Sequence, residues 1–100
     1  MSVATSEEIH LGCYYKSAES VMSYEVDIDL EKNKLWMNSY LYNITLATDL
    51  NIVALHNSDP NERITLNRYT GELSLDYLNT EESKVNNLAI VYCKKLEQLF

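Results

Sequence analysis

From Tyr24 the side chains alternate without a break. Tyr24, Val26, Ile28 and Leu30 point one way and Glu25, Asp27 and Asp29 the other, the period-two pattern of a strand with one buried face. Glu31-Lys32-Asn33-Lys34 is a polar break suited to a turn, and Leu35 to Thr45 continues beyond it in a strand-prone composition. This second arm has an unusual pattern: Trp36, Tyr40, Tyr42 and Ile44 share one face while Leu35, Met37 and Leu41 occupy the other. Both faces then offer apolar area, and one of them is expected to be covered by something outside the hairpin. Asn51 to Leu55 reads as a further strand, ended by the turn formers Asn57-Ser58-Asp59-Pro60-Asn61. Ile64 and Leu66 alternate with Thr65 and Asn67, Thr70-Gly71 supplies a turn with a residue free to take positive φ, and Leu73, Leu75 and Tyr77 resume the alternation. Ile9 to Lys16 makes an earlier strand.

The last segment changes period. Val85, Leu88, Ala89, Tyr92, Leu96 and Leu99 fall at spacings of three and four, one apolar stripe of a helix. Asn79 is placed to cap it and Glu82, three residues on, to complete a capping box. Glu81 and Glu82 would lie at the positive end of the helix dipole and Lys94 and Lys95 near the negative end. The pattern therefore predicts an α+β domain: an antiparallel meander sheet of about five or six strands with one C-terminal amphipathic helix packed on one face. The alternative is a small curled β-barrel plugged by the helix.

One hundred residues suit a single domain spanning 1–100, with 46% apolar and 23% charged residues and only two Gly and one Pro to build linkers. The net charge of −7 is unevenly spread: residues 1 to 31 hold seven carboxylates against one base, Lys16, while the rest nearly balance. Such a local field attracts a basic partner and is repelled by phosphates and anionic lipid heads, so direct binding to nucleic acid or membrane is not expected. Met1 to Leu11 lacks the basic end and apolar stretch of a secretory signal, which points to the cytoplasm, the host cell cytoplasm if the chain is phage-encoded. In that setting Cys13 and Cys93 read as buried thiols and the Asn43-Ile44-Thr45 acceptor pattern as chance.

Catalytic chemistry is not legible. The only histidines, His10 and His56, lie at strand ends with no signature around them or around Cys13, and two glycines could hardly build a phosphate loop. Asp27, Asp29 and Glu31 resemble a calcium loop only superficially, because Ile28 and Leu30 intervene and Lys32 stands where the turn needs Gly. No enzyme, metal or cofactor is expected. The row Glu25, Asp27, Asp29 and Glu31 would instead repeat a carboxylate about every 6.6 Å along a strand, comparable with neighbouring phosphates on a nucleic-acid backbone. Trp36, Tyr40 and Tyr42 would add apolar contact area beside it.

In size and acidity the chain resembles small acidic inhibitors encoded by phages and mobile elements, anti-CRISPR proteins among them, and bacterial immunity proteins that plug toxic nucleases. That profile carries no residue-level assignment. The expected function is inhibition or sequestration of a basic protein or nucleoprotein complex by a monomer or weak homodimer, with nucleic-acid mimicry as the mechanism. The alternatives are a toxin-neutralising immunity protein and a structural subunit that forms a homodimer through an uncovered sheet face or edge.

Overall fold

The computed structural model describes residues 8–18 and 21–96. They form eight strands: β1 (Glu8–Tyr14), β2 (Tyr24–Asp29), β3 (Lys34–Met37), β4 (Tyr40–Ala47), β5 (Asn51–His56), β6 (Glu62–Asn67), β7 (Glu72–Asn79) and β8 (Lys84–Lys95). A short 3-10 turn, Lys16–Ala18, lies between β1 and β2. Every strand pairs antiparallel with its neighbours in sequence, and β1 also pairs with β8, so the sheet closes into an up-and-down barrel. The interior is filled by alternate side chains, as an eight-stranded barrel requires: Leu11, Val26, Ile28, Leu35, Ile52, Ile64, Leu66, Leu73 and Val91 are all buried.

The expected α+β fold is overturned, and so is the plugged barrel: no α-helix is present among the described residues. The segment read as a helix is β8. Leu73 faces Val91 and Leu75 faces Ala89, but the next pair is Asp76 with Asn87, so Leu88 is an extra residue in the ladder. That bulge shifts the alternation of β8 by one position. A period of two, interrupted once, leaves apolar residues at spacings that mimic three and four. Asn79 does use its capping chemistry, since its Oδ1 accepts the N–H groups of Glu81 and Glu82, but it does so in the β7–β8 turn. Leu99, the end of the proposed stripe, lies outside the described residues.

The two-faced strand has an equally local cause. Asn38 and Ser39 both have positive φ, 49° and 76°, and form a two-residue turn that joins Met37 to its partner Tyr40. A two-residue loop reverses parity, so odd positions Leu35 and Met37 point inward before it and even positions Tyr42 and Ile44 point inward after it. What reads as one strand with two apolar faces is two strands with one buried face each.

Closure is reinforced covalently. Cys13 and Cys93 stand opposite each other where β1 meets β8 and are joined as a disulfide across 80 residues of sequence. Their expected state as free thiols is thereby corrected. The β1–β8 ladder itself comprises only Leu11–Lys95, Gly12–Lys94, Cys13–Cys93 and Tyr14–Tyr92. From Lys84 to Val91, β8 has β7 on one side and, among the described residues, no strand on the other.

Candidate functional site

Glu8 on β1 and Glu25, Asp27 and Asp29 on β2 form an acidic group flanked by β3. The register sets Glu8 opposite Asp29, His10 opposite Asp27 and Gly12 opposite Glu25, and on the other flank Asp27 opposite Trp36. Glu25, Asp27 and Asp29 therefore do share the outer face of one strand, with half-buried Trp36 beside them. They do not form an even ladder of free charges. Asp29 is only 5% exposed, and its carboxylate accepts the Lys32 N–H to hold the β2–β3 turn. Asp27 is bonded to His10 Nδ1 at 2.6 Å. Glu25 remains exposed on the strand, Glu8 lies beside Asp29 at the start of β1, and exposed Glu31 sits in the turn beyond the row.

The remaining aromatic candidates separate from this face. Tyr42 is 1% exposed and points into the barrel, where its hydroxyl donates to the Glu62 carboxylate, so it cannot touch a partner through the outer surface. Tyr40 stands at the rim beside His56. Sequence reasoning placed both on the same face as Trp36 because the Asn38-Ser39 turn carries no glycine to announce it. It also missed His10, whose relation to Asp27 depends on a strand register that no local signal encodes.

The His10–Asp27 pair makes the face responsive to pH. The hydrogen bond to Asp27 raises the His10 pKa above its usual 6.5, the charges of Asp27, Glu8 and Glu25 add to this, and desolvation opposes it. Because the folded value is the higher one, the contribution to stability is complete below pH 6.5 and is lost as pH rises through the folded pKa. With the pair well exposed, the effect on stability is small. Asp27→Asn is expected to bring the His10 midpoint back towards 6.5, as followed by NMR titration of the imidazole protons. An unchanged midpoint would show that the pair is not formed in solution.

Among the described residues a cavity opens at each end of the barrel. The larger, about 370 Å³, opens where the Arg68–Gly71 turn meets Ile9 and Lys95. Its apolar floor is nearly closed over, since Leu11, Ile28, Ile52 and Leu66 are each less than 9% exposed. The smaller, about 230 Å³, lies at the opposite end among Tyr24, Tyr40, Tyr42, His56 and Glu62. Chemistry by a cysteine–histidine pair has no free thiol to work with, because Cys13 and Cys93 are bonded to each other. No three potential metal ligands come together among the described residues.

Comparisons with protein-family models, with curated proteins and with solved structures find no match.

Proposed function

We propose that this barrel is a binding protein for a basic protein partner, held on the outer face of β1, β2 and β3. The observation that carries this reading is the convergence of Glu8, Glu25 and Asp27 with half-buried Trp36 on one solvent-facing surface of a chain with net charge −7. Carboxylates give fast, oriented association with a cationic surface, and a half-buried indole gives apolar contact where water is expelled. Close mimicry of a phosphate backbone receives less support than the sequence suggests, since Asp29 is committed to a turn and Asp27 to His10.

The disulfide bears on the setting. A bond that ties the first strand to the last persists in an oxidising compartment, so we infer a partner met there in preference to one in the reducing cytoplasm. No helix among the described residues is long and apolar enough to cross a membrane.

Affinity capture from the native source under non-reducing conditions, at low and moderate salt, identifies the partner. Glu25→Gln with Asp27→Asn is expected to weaken its binding about tenfold at low salt, largely through slower association, while the melting temperature changes little. Binding of the parent chain should also strengthen as pH rises through the His10 pKa, because loss of the imidazolium exposes the Asp27 charge. Equal affinity of parent and variant at both salts would reduce this face to ordinary solvated surface.

A further inference from the structure

The cavity of about 230 Å³ at the β3–β4 end of the barrel brings together features that the outer face does not use. Its lining includes three tyrosines, Tyr24, Tyr40 and Tyr42, with the His56 imidazole and the Glu62 carboxylate. Glu62 is the only charged group in that lining and, among the described residues, has no basic side chain at ion-pair distance. Half-buried carboxylates are ordinarily compensated by a cation or by several hydrogen-bond donors. Here the side-chain donor is the Tyr42 hydroxyl.

The groups that neighbour Glu62 are engaged in hydrogen bonds of their own. His56 Nδ1 accepts the backbone N–H groups of Ser58, at 3.0 Å, and Asp59, at 3.2 Å. The same ring meets Tyr42 edge-on, with centroids 5.0 Å apart, and lies 6.2 Å from the ring of Tyr40. Burial, then the hydrogen bond to Glu62 and its charge, push the Tyr42 hydroxyl well above its usual 10, so it remains a donor throughout the physiological range. The mouth is thus aromatic, negative and open to solvent past Tyr40, which is 64% exposed.

The geometry points to a binding site for a compact organic cation, an alkylated ammonium or a guanidinium head, seated among the tyrosine rings with Glu62 as its counter-charge. Tyrosine π-faces attract such cations, a carboxylate adds a full charge at partial burial, and the volume suits a head group in preference to a whole drug-sized ligand. The shared chemistry has two sources: a free small cation, or a lysine-derived or arginine side chain presented by a protein. The site uses none of the residues of the acidic outer face, so the two readings stand or fall separately.

The test is an NMR titration of the full-length, oxidised, ¹⁵N-labelled chain. Choline is the probe, its neutral isostere 3,3-dimethylbutan-1-ol the control for shape, and sodium chloride at matched ionic strength the control for screening. Saturable shifts of the Tyr40, Tyr42, His56 and Glu62 amides with choline, without saturation by the isostere, are expected. Glu62→Gln should weaken choline binding about tenfold. Tyr40→Ala, at a rim position where folding is not at stake, should weaken it about two- to fivefold, the cation–π range for an exposed ring. A parallel arm uses a capped peptide with one trimethyllysine or one arginine, against its norleucine counterpart. Peptide binding that is lost with norleucine and reduced in both variants assigns the mouth to a partner's side chain; choline binding with silent peptides assigns it to a free cation. Equal response to choline and its isostere, full choline affinity in both variants, or silence of choline and the peptides alike would overturn the proposal.

Discussion

Breaking the Cys13–Cys93 bond is expected to cost the barrel about 3–5 kcal/mol, the range for releasing a closed loop of this length into the unfolded ensemble. The bond spans 80 residues, so it constrains nearly the whole described chain. It also sits in a short ladder, the one that no direct chain connection supports. β1 and β8 share four residue pairs, whereas β7 and β8 share eight, Glu72–Tyr92 through Asn79–Lys84. Each of the other ladders joins neighbours in sequence and is supported by a short connection. Closure depends on contacts between the two ends of the chain, whose loop entropy is the largest to be overcome. The measurement is urea denaturation of the oxidised chain, of the chain in reductant and of the Cys13→Ala/Cys93→Ala double variant, with thiol alkylation confirming the redox state. A midpoint shared by oxidised and reduced protein would mean that the seam holds without covalent help.

Gly71→Ala is expected to lose about 2–4 kcal/mol, from the left-handed backbone cost and a direct clash together. Gly71 has φ of +79°, and a Cβ built on it would stand 2.4 Å from the Cys93 carbonyl oxygen. The neighbour is backbone, in the ladder that also carries the disulfide, and the Cys93 N–H donates to the Gly71 carbonyl at 2.7 Å. Neither side can yield without opening β7 from β8. Gly12→Ala is the contrasting case. Its Cβ would meet the Met22 sulfur at 2.7 Å and a Leu96 methyl at 3.1 Å, the ends of side chains that can move aside, and the expected loss stays within about 1 kcal/mol. Thermal melting of the two variants side by side separates these outcomes. Equal loss at both positions would contradict the close approach at Gly71.

Much of the barrel was legible wherever a strand stood alone between clear turn formers. The alternation from Tyr24 to Asp29, the stop at Asn57 to Asn61 and the positive-φ glycine after Thr70 all mark real elements. The failures came where one residue or one turn changed the phase of the pattern. Asn38-Ser39 makes a hairpin without glycine, so β3 and β4 fused into one apparent strand with apolar residues on both faces. Leu88 bulges out of β8 and turns period two into an imitation of a helix, and the capping ability of Asn79 and the flanking charges agreed with that imitation. With the last strand read as a helix, nothing remains to close the sheet on β1.

The candidate surfaces were legible to the same degree. Their chemistry could be named from the residues, but not their pairing. The carboxylates of β2 do share an outer face, as the alternation predicts. Their partners, His10 for Asp27 and the Lys32 amide for Asp29, follow from the β1–β2 register and from the geometry of one turn. Glu62 and Tyr42 lie 20 residues apart and meet across β5 through the registers of β4 with β5 and of β5 with β6. Cys13 and Cys93 are the extreme case, where topology alone decides between two thiols and one bond.

The free side of β8 has a consequence for how the protein behaves in concentrated solution. Between Lys84 and Lys94 the strand contains no charge, proline or glycine, and it exposes Val85, Leu88 and Ile90 beside backbone that no second strand pairs among the described residues. Natural sheets guard such edges with lysines, prolines or bulges, because an unguarded edge templates the addition of another chain's strand and nucleates fibrils. Among the described residues the bulge at Leu88 is the only guard within the stretch. Among the described residues, resistance to edge-on assembly along this stretch therefore rests on a single irregularity of the backbone, and a gatekeeper charge such as Asn87→Lys would place a second barrier in the middle of the exposed strand.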